Sequence, residues 1–75
     1  PITKNVLFFQ QKRGMLQLDC KTEGASIGYQ TGKNIGTRNW QLYHEPIKIN
    51  RNQKIVARAI RIGFKASEIT SLNPN

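Results

Sequence analysis

Met15-Leu16-Gln17-Leu18-Asp19-Cys20-Lys21 decides the fold class: Leu16, Leu18 and Cys20 alternate with Gln17, Asp19 and Lys21. Successive side chains of an extended chain point to opposite faces, so a period of two marks a strand with one buried side. Cys20 is thereby turned inward. Upstream, Asn5 opens a run of β-favouring residues, Val6, Leu7, Phe8 and Phe9, which predicts a strand over residues 5–9, closed by a turn at Lys12, Arg13 and Gly14. Downstream, Glu23 and Gly24 turn the chain into a third strand, with Ala25, Ile27 and Tyr29 inward and Ser26, Gly28 and Gln30 outward.

Residues 31–39 are polar and carry Gly32, Asn34 and Gly36, types that tolerate positive φ, so a surface loop is expected there. Trp40, Leu42 and His44 share a phase and start a short fourth strand, which puts Trp40 and Leu42 inward and leaves Tyr43 as the exposed aromatic. Pro46 has no N–H to give a ladder and suits a sheet edge or a strand start. Ile47 and Ile49 alternate next, and Asn50, Arg51 and Asn52 supply a turn. The strongest strand covers residues 54–62, with Ile55, Ala57 and Ala59 on one face and Val56, Arg58 and Ile60 on the other. The small alanines are expected to let the opposing sheet approach closely, under the Trp40 ring. Beyond Gly63, residues 66–72, with Ile69 and Leu72, return as a final strand. About seven strands, with turn signals every roughly 8 to 12 residues, predict an all-β immunoglobulin-like or fibronectin III-like β-sandwich. A five-stranded nucleic-acid-binding barrel is the competing closure.

Three of these segments together resemble the chitobiase/β-hexosaminidase C-terminal-like module, in the version found at the C-terminus of bacterial sulfatases. They are Thr22-Glu23-Gly24-Ala25-Ser26-Ile27-Gly28-Tyr29, Trp40-Gln41-Leu42-Tyr43-His44-Glu45-Pro46-Ile47, and Ile55-Val56-Ala57-Arg58-Ala59-Ile60-Arg61-Ile62-Gly63-Phe64-Lys65-Ala66-Ser67. The likeness runs over about residues 16–69. It implies a non-catalytic sandwich that follows a sulfatase catalytic domain hydrolysing sulfate esters or sulfamates, in a parent that is periplasmic or secreted. The sulfatase nucleophile arises within a Cys-x-Pro-x-Arg motif, whereas Cys20 has Thr22 and Gly24 at the matching places. The module's usual Tyr-Thr-Asp-Gly turn is also altered, since Tyr29 is followed by Gln30, Thr31 and Gly32. The family offers no catalytic residues to carry over.

Length and charge set the remaining bounds. The 75 residues suffice for one hydrophobic core, so the whole chain, residues 1–75, is expected to be one accessory domain. A first residue Pro1 in place of Met suggests an excised piece of a larger enzyme, and no leader or membrane span is expected within it. Twelve Lys and Arg against four Asp and Glu leave a net charge of +8, which favours polyanions such as nucleic acid, acidic lipid or a sulfated glycan, or else simply solvates a small domain. With Cys20 as the single cysteine, an intrachain disulfide and a thiolate metal cluster are excluded.

No residue pattern announces chemistry. Cys20 reads as a small buried hydrophobe, and His44, the one histidine, would need carboxylate partners to hold a metal. Asp19, Glu23, Glu45 and Glu68 are scattered, while glycoside hydrolysis needs two carboxyl groups within roughly 5 to 10 Å. The stretch from Gly28 through Gly32 and Lys33 to Asn34 lacks the spacing, the Ser or Thr and the following helix of a phosphate-binding loop. No catalytic residue, metal or cofactor is therefore expected. If any small ligand binds, Lys33, Arg38, Tyr43, Arg58 and Arg61, with Lys48 nearby, are the expected contacts to a sulfated or acidic glycan, Arg matching the sulfate geometry best. The leading expectation is a structural module whose partner is the parent's catalytic domain. A glycan-binding role stands second and nucleic-acid binding third.

Overall fold

A computed structural model describes residues 1–50 and 52–73. Seven strands follow in chain order: β1 Leu7–Gln10, β2 Met15–Asp19, β3 Ser26–Thr31, β4 Gln41–Leu42, β5 Ile47–Lys48, β6 Ile55–Ile60 and β7 Thr70–Leu72. Single 3₁₀ turns at Lys12–Gly14 and Gly32–Asn34 are the helical elements among the described residues. The strands form two antiparallel sheets, ordered β1-β2-β5 and β4-β3-β6-β7. The chain changes sheet after β2, β4 and β5, so neither sheet is a simple meander and each is locked by the other. This is the expected fibronectin III-like sandwich, not the five-stranded barrel.

The core follows from the period-two pattern. Val6, Leu16, Leu18, Ile27, Ile55, Ala57 and Ala59 are buried between the sheets, with Phe8, Tyr29, Tyr43, Ile47 and Leu72 among the side chains packed around them. Leu16, Ile55, Ala57 and Ala59 are fully enclosed. Burying side chains of this size contributes roughly 1.5–3 kcal/mol each for the larger ones. Cys20 reaches the rim of the core, where its thiol donates to the Lys4 carbonyl at 3.2 Å.

Several boundaries move, each for a local reason. β2 stops at Asp19 because the Asp19 carboxylate takes the Cys20 N–H at 2.8 Å and diverts it from any ladder. β7 is shorter than residues 66–72 because Ser67 hooks onto β6, its hydroxyl accepting the Ala59 N–H and its own N–H reaching the Ala59 carbonyl. Thr70 pairs regularly with Ala57 only after that interruption. The β1–β2 turn is tight: Arg13 and Gly14 both have left-handed φ, 63° and 72°, and the Gln11 N–H donates to Met15 O. Arg51, assigned to the turn before β6, lies outside the described residues.

The larger correction concerns β4. Leu42 lies opposite Gly28 and Gln41 opposite Tyr29, so Trp40 and Leu42 point to the outer face and Tyr43 points in. Tyr43 packs on the core and meets Tyr29 edge-on at 6.4 Å between centroids, while Leu42 is exposed. The expected phase is therefore inverted, and Trp40 does not cover the alanines of β6. Every apolar residue of this short segment is compatible with either face, and the register against β3 decides. Gly28 leaves an opening on the outer face that the indole fills: a Cβ there would stand 3.4 Å from Trp40 Cε3.

Candidate functional site

The outer face of the four-stranded sheet gathers the unusual side chains. Its central row runs Leu42, Gly28, Arg58 across β4, β3 and β6, and the next row pairs Ser26 with Ile60. The Trp40 ring lies over Gly28 and reaches Arg58, whose guanidinium carbon is 5.6 Å from the ring centroid. Such a cation–π contact contributes about 0.5–1 kcal/mol and holds the guanidinium in place. The Arg58 Nε is shielded from solvent and has no hydrogen-bond partner among the described residues.

Around this pair the surface is apolar. Leu42 is 66% exposed, Ile60 51% and Ile69 50%, and alternation along β7 brings Ile69 to the same face as Ser71, which pairs with Val56. Ile62, 96% exposed, lies in the turn that follows β6. On the opposite sheet the corresponding exposed aromatic is Phe9, flanked across the strands by Gln17.

Next to this face, residues 31–39 are held from beneath by Gln30, which sequence reading placed outward without assigning it a task. The side chain is buried; its amide donates to Thr37 O at 2.9 Å and to Asn39 O at 3.3 Å, and its oxygen accepts the Gly36 N–H at 3.2 Å. Three bonds to the loop's main chain replace the ladder the loop lacks. A buried glutamine at a strand end before a Gly- and Asn-rich loop is the signal that could have identified this post.

The five expected contact residues do not form one cluster. Lys33 and Arg38 are exposed on the loop that follows β3. Arg61 lies beyond the other end of the β3–β6 ladder, whose terminal pairs Thr31–Ile55 and Ser26–Ile60 are about 17 Å apart at roughly 3.4 Å per residue. It is a structural clasp: its Nε–H donates to Glu23 O at 2.7 Å, its guanidinium stacks on Phe64 at 4.7 Å, and a Cβ on Gly24 would stand 3.0 Å from its Nε. Tyr43 faces the core rim, and Arg58 alone of the five sits on the apolar face. Lys48 borders an open depression of about 360 Å³ lined also by Tyr29, Leu42, His44, Glu45 and Pro46, which adjoins the apolar face at Leu42. Among the described residues no group of three His, Cys, Asp or Glu is placed to hold a metal ion, and no helix is long and apolar enough to cross a membrane.

Comparison with known proteins agrees with this architecture. A family model described as Fn3 associated matches residues 16–73. A curated relative, the ulvan-active sulfatase of Formosa agariphila, is 36% identical over 62 residues, which cover 80% of this chain and 10% of the relative. The chain thus corresponds to about a tenth of that sulfatase's length. No solved structure matches. With a family match that runs from β2 through β7 of a two-sheet sandwich, the chain belongs to the Fn3-associated family.

Proposed function

We propose that this domain is a non-catalytic accessory module of a sulfatase-like hydrolase, akin to the chitobiase C-terminal-like type, and that it packs on the catalytic domain and stabilises or positions it. The observation that carries the reading is the distribution of exposed apolar surface: Leu42, Ile60 and Ile69 share one sheet face, with Ile62 at its end. Scattered exposed aliphatics are ordinary, but several on one face around a half-buried Trp and Arg mark an interaction surface. The similarity to a short part of a sulfatase supports the kind of partner. The reading is tested by thermal unfolding of the full-length polypeptide with and without this module: its removal lowers the catalytic domain's Tm, whereas independent melting of the two parts overturns it.

A second reading is capture of a sulfated glycan. Its support is the Gln30-braced loop, which carries the exposed Lys33 and Arg38 in the segment that leads to Trp40. Titration of the module with a heparin-type oligosaccharide separates the two, since amide shifts confined to residues 31–40 are expected only for the glycan.

A further inference from the structure

We propose that the outer face of the β4-β3-β6-β7 sheet docks a protein surface of defined chemistry: a carboxylate set within an apolar ring, received by Arg58 on its Trp40 support. The inference rests on the accessory-module reading and names the face and the partner's chemistry.

The apolar ring comes from Leu42, Ile60 and Ile69, all exposed around the central row that contains Arg58. A wholly apolar partner would bury a guanidinium without an anion, which is strongly unfavourable. The Arg58 Nε is already shielded within the domain and has no acceptor among the described residues, so the outer nitrogens are the ones left to meet a partner and the domain itself does not neutralise the guanidinium. A partner carboxylate does, and Arg offers it a planar fork of donors that Trp40 already orients. An aromatic–Arg pair at the centre of an apolar rim is the usual anatomy of an interface anchor.

Other occupants fit less well. A second copy docked about a two-fold axis brings Arg58 near Arg58 between molecules that each carry +8, so repulsion opposes it. A sulfated glycan wants convergent cations and offers hydroxyls, not aliphatic groups, to Leu42, Ile60 and Ile69, whereas Lys33 and Arg61 lie toward opposite ends of the sheet. The outer face of the other sheet carries Leu7 across from Asp19, Phe9 across from Gln17 and Met15 across from Lys48, so the place taken by the ring-supported Arg58 on the four-stranded sheet is held there by a neutral glutamine.

The test measures binding of the 75-residue domain to the separately produced remainder of its parent polypeptide, with hydrogen exchange read in the full-length protein. Arg58→Met keeps the aliphatic stem on Trp40 and removes the charge; Leu42→Asp breaks the ring. Each is expected to weaken binding at least about tenfold, and amides of β3, β4 and β6 are expected to be protected in the full-length chain. Protection on β1 and β2 instead, with Arg58→Met binding like the parent domain, overturns this face and leaves the accessory reading standing. Absence of both binding and protection overturns the two together. A heparin-type oligosaccharide that shifts the Arg58 and Trp40 resonances and competes with the protein partner overturns the carboxylate assignment in favour of a sulfated glycan.

Discussion

Gln30 and Gly28 show how single side chains organise this domain. Gln30 is buried, yet each of its polar ends is met by the main chain of residues 36–39. Removing it leaves those groups to water, which the exposed Gly36, Thr37 and Asn39 can reach, so each lost bond costs about 0.5–1.5 kcal/mol. Gln30→Ala is therefore expected to lower stability by about 1–3 kcal/mol in urea unfolding, with hydrogen exchange accelerating at Gly36 while Ala57 stays protected. Gly28 works by absence. A Cβ there would just touch the Trp40 ring, so the two further methyls of Gly28→Val are expected to lift the indole from the sheet at about 1–3 kcal/mol, with a red shift of tryptophan emission. A silent Gly28→Val would mean that Trp40 is not seated over the strand.

The strands differ in how clearly the chain spells them. β2 and β6 are long enough for alternation to fix both their existence and their facing, and Leu16, Leu18, Ile55, Ala57 and Ala59 are buried as the pattern requires. β4 has two residues and apolar side chains in both phases, so its facing depends on a partner strand that alternation along one segment does not describe. The same limit hid the roles of Arg58 and Arg61, whose neighbours Trp40, Glu23 and Phe64 are brought to them by sheet register and turn geometry. The N-terminal segment carries its own lesson, because the family match begins at residue 16. Val6 is nevertheless part of the core, β1 forms an edge of the three-stranded sheet, and an isolated parallel bridge pairs Ile2 with Lys65, the Thr3 N–H donating to Lys65 O and the Lys65 N–H to Pro1 O. Without residues 1–15 that sheet shrinks to β2 and a two-residue β5, and Leu18 loses its cross-strand partner Phe8. A chain starting at residue 16 is expected to lack a cooperative thermal transition, although it keeps the whole of the family match; cooperative melting near that of the 75-residue chain would show β1 to be dispensable.

Charge and shape together rank the possible partners. The domain measures 35 × 26 × 19 Å and carries +8, enough to attract any polyanion at low salt. Affinity that survives salt needs several cations meeting phosphates along one track, because each such contact releases counterions and steepens the salt dependence. Here Lys33 and Arg38 occupy the loop after β3, Arg61 is tied to Glu23 and Phe64 beyond the other end of the sheet, and Arg58 is half-covered by Trp40 among aliphatic side chains. On the four-stranded sheet the aromatic rings are not free to stack on bases, since Trp40 already lies against Gly28 and Tyr43 points to the core. Single-stranded DNA is therefore expected to bind only through diffuse attraction, measurable by fluorescence anisotropy at about 10 mM salt, where the screening length is roughly 30 Å, and lost at about 150 mM, where it is roughly 8 Å. Retention of tight binding at the higher salt would mean that the basic side chains converge in a way the sheet register does not provide, and would move nucleic acid ahead of a protein partner.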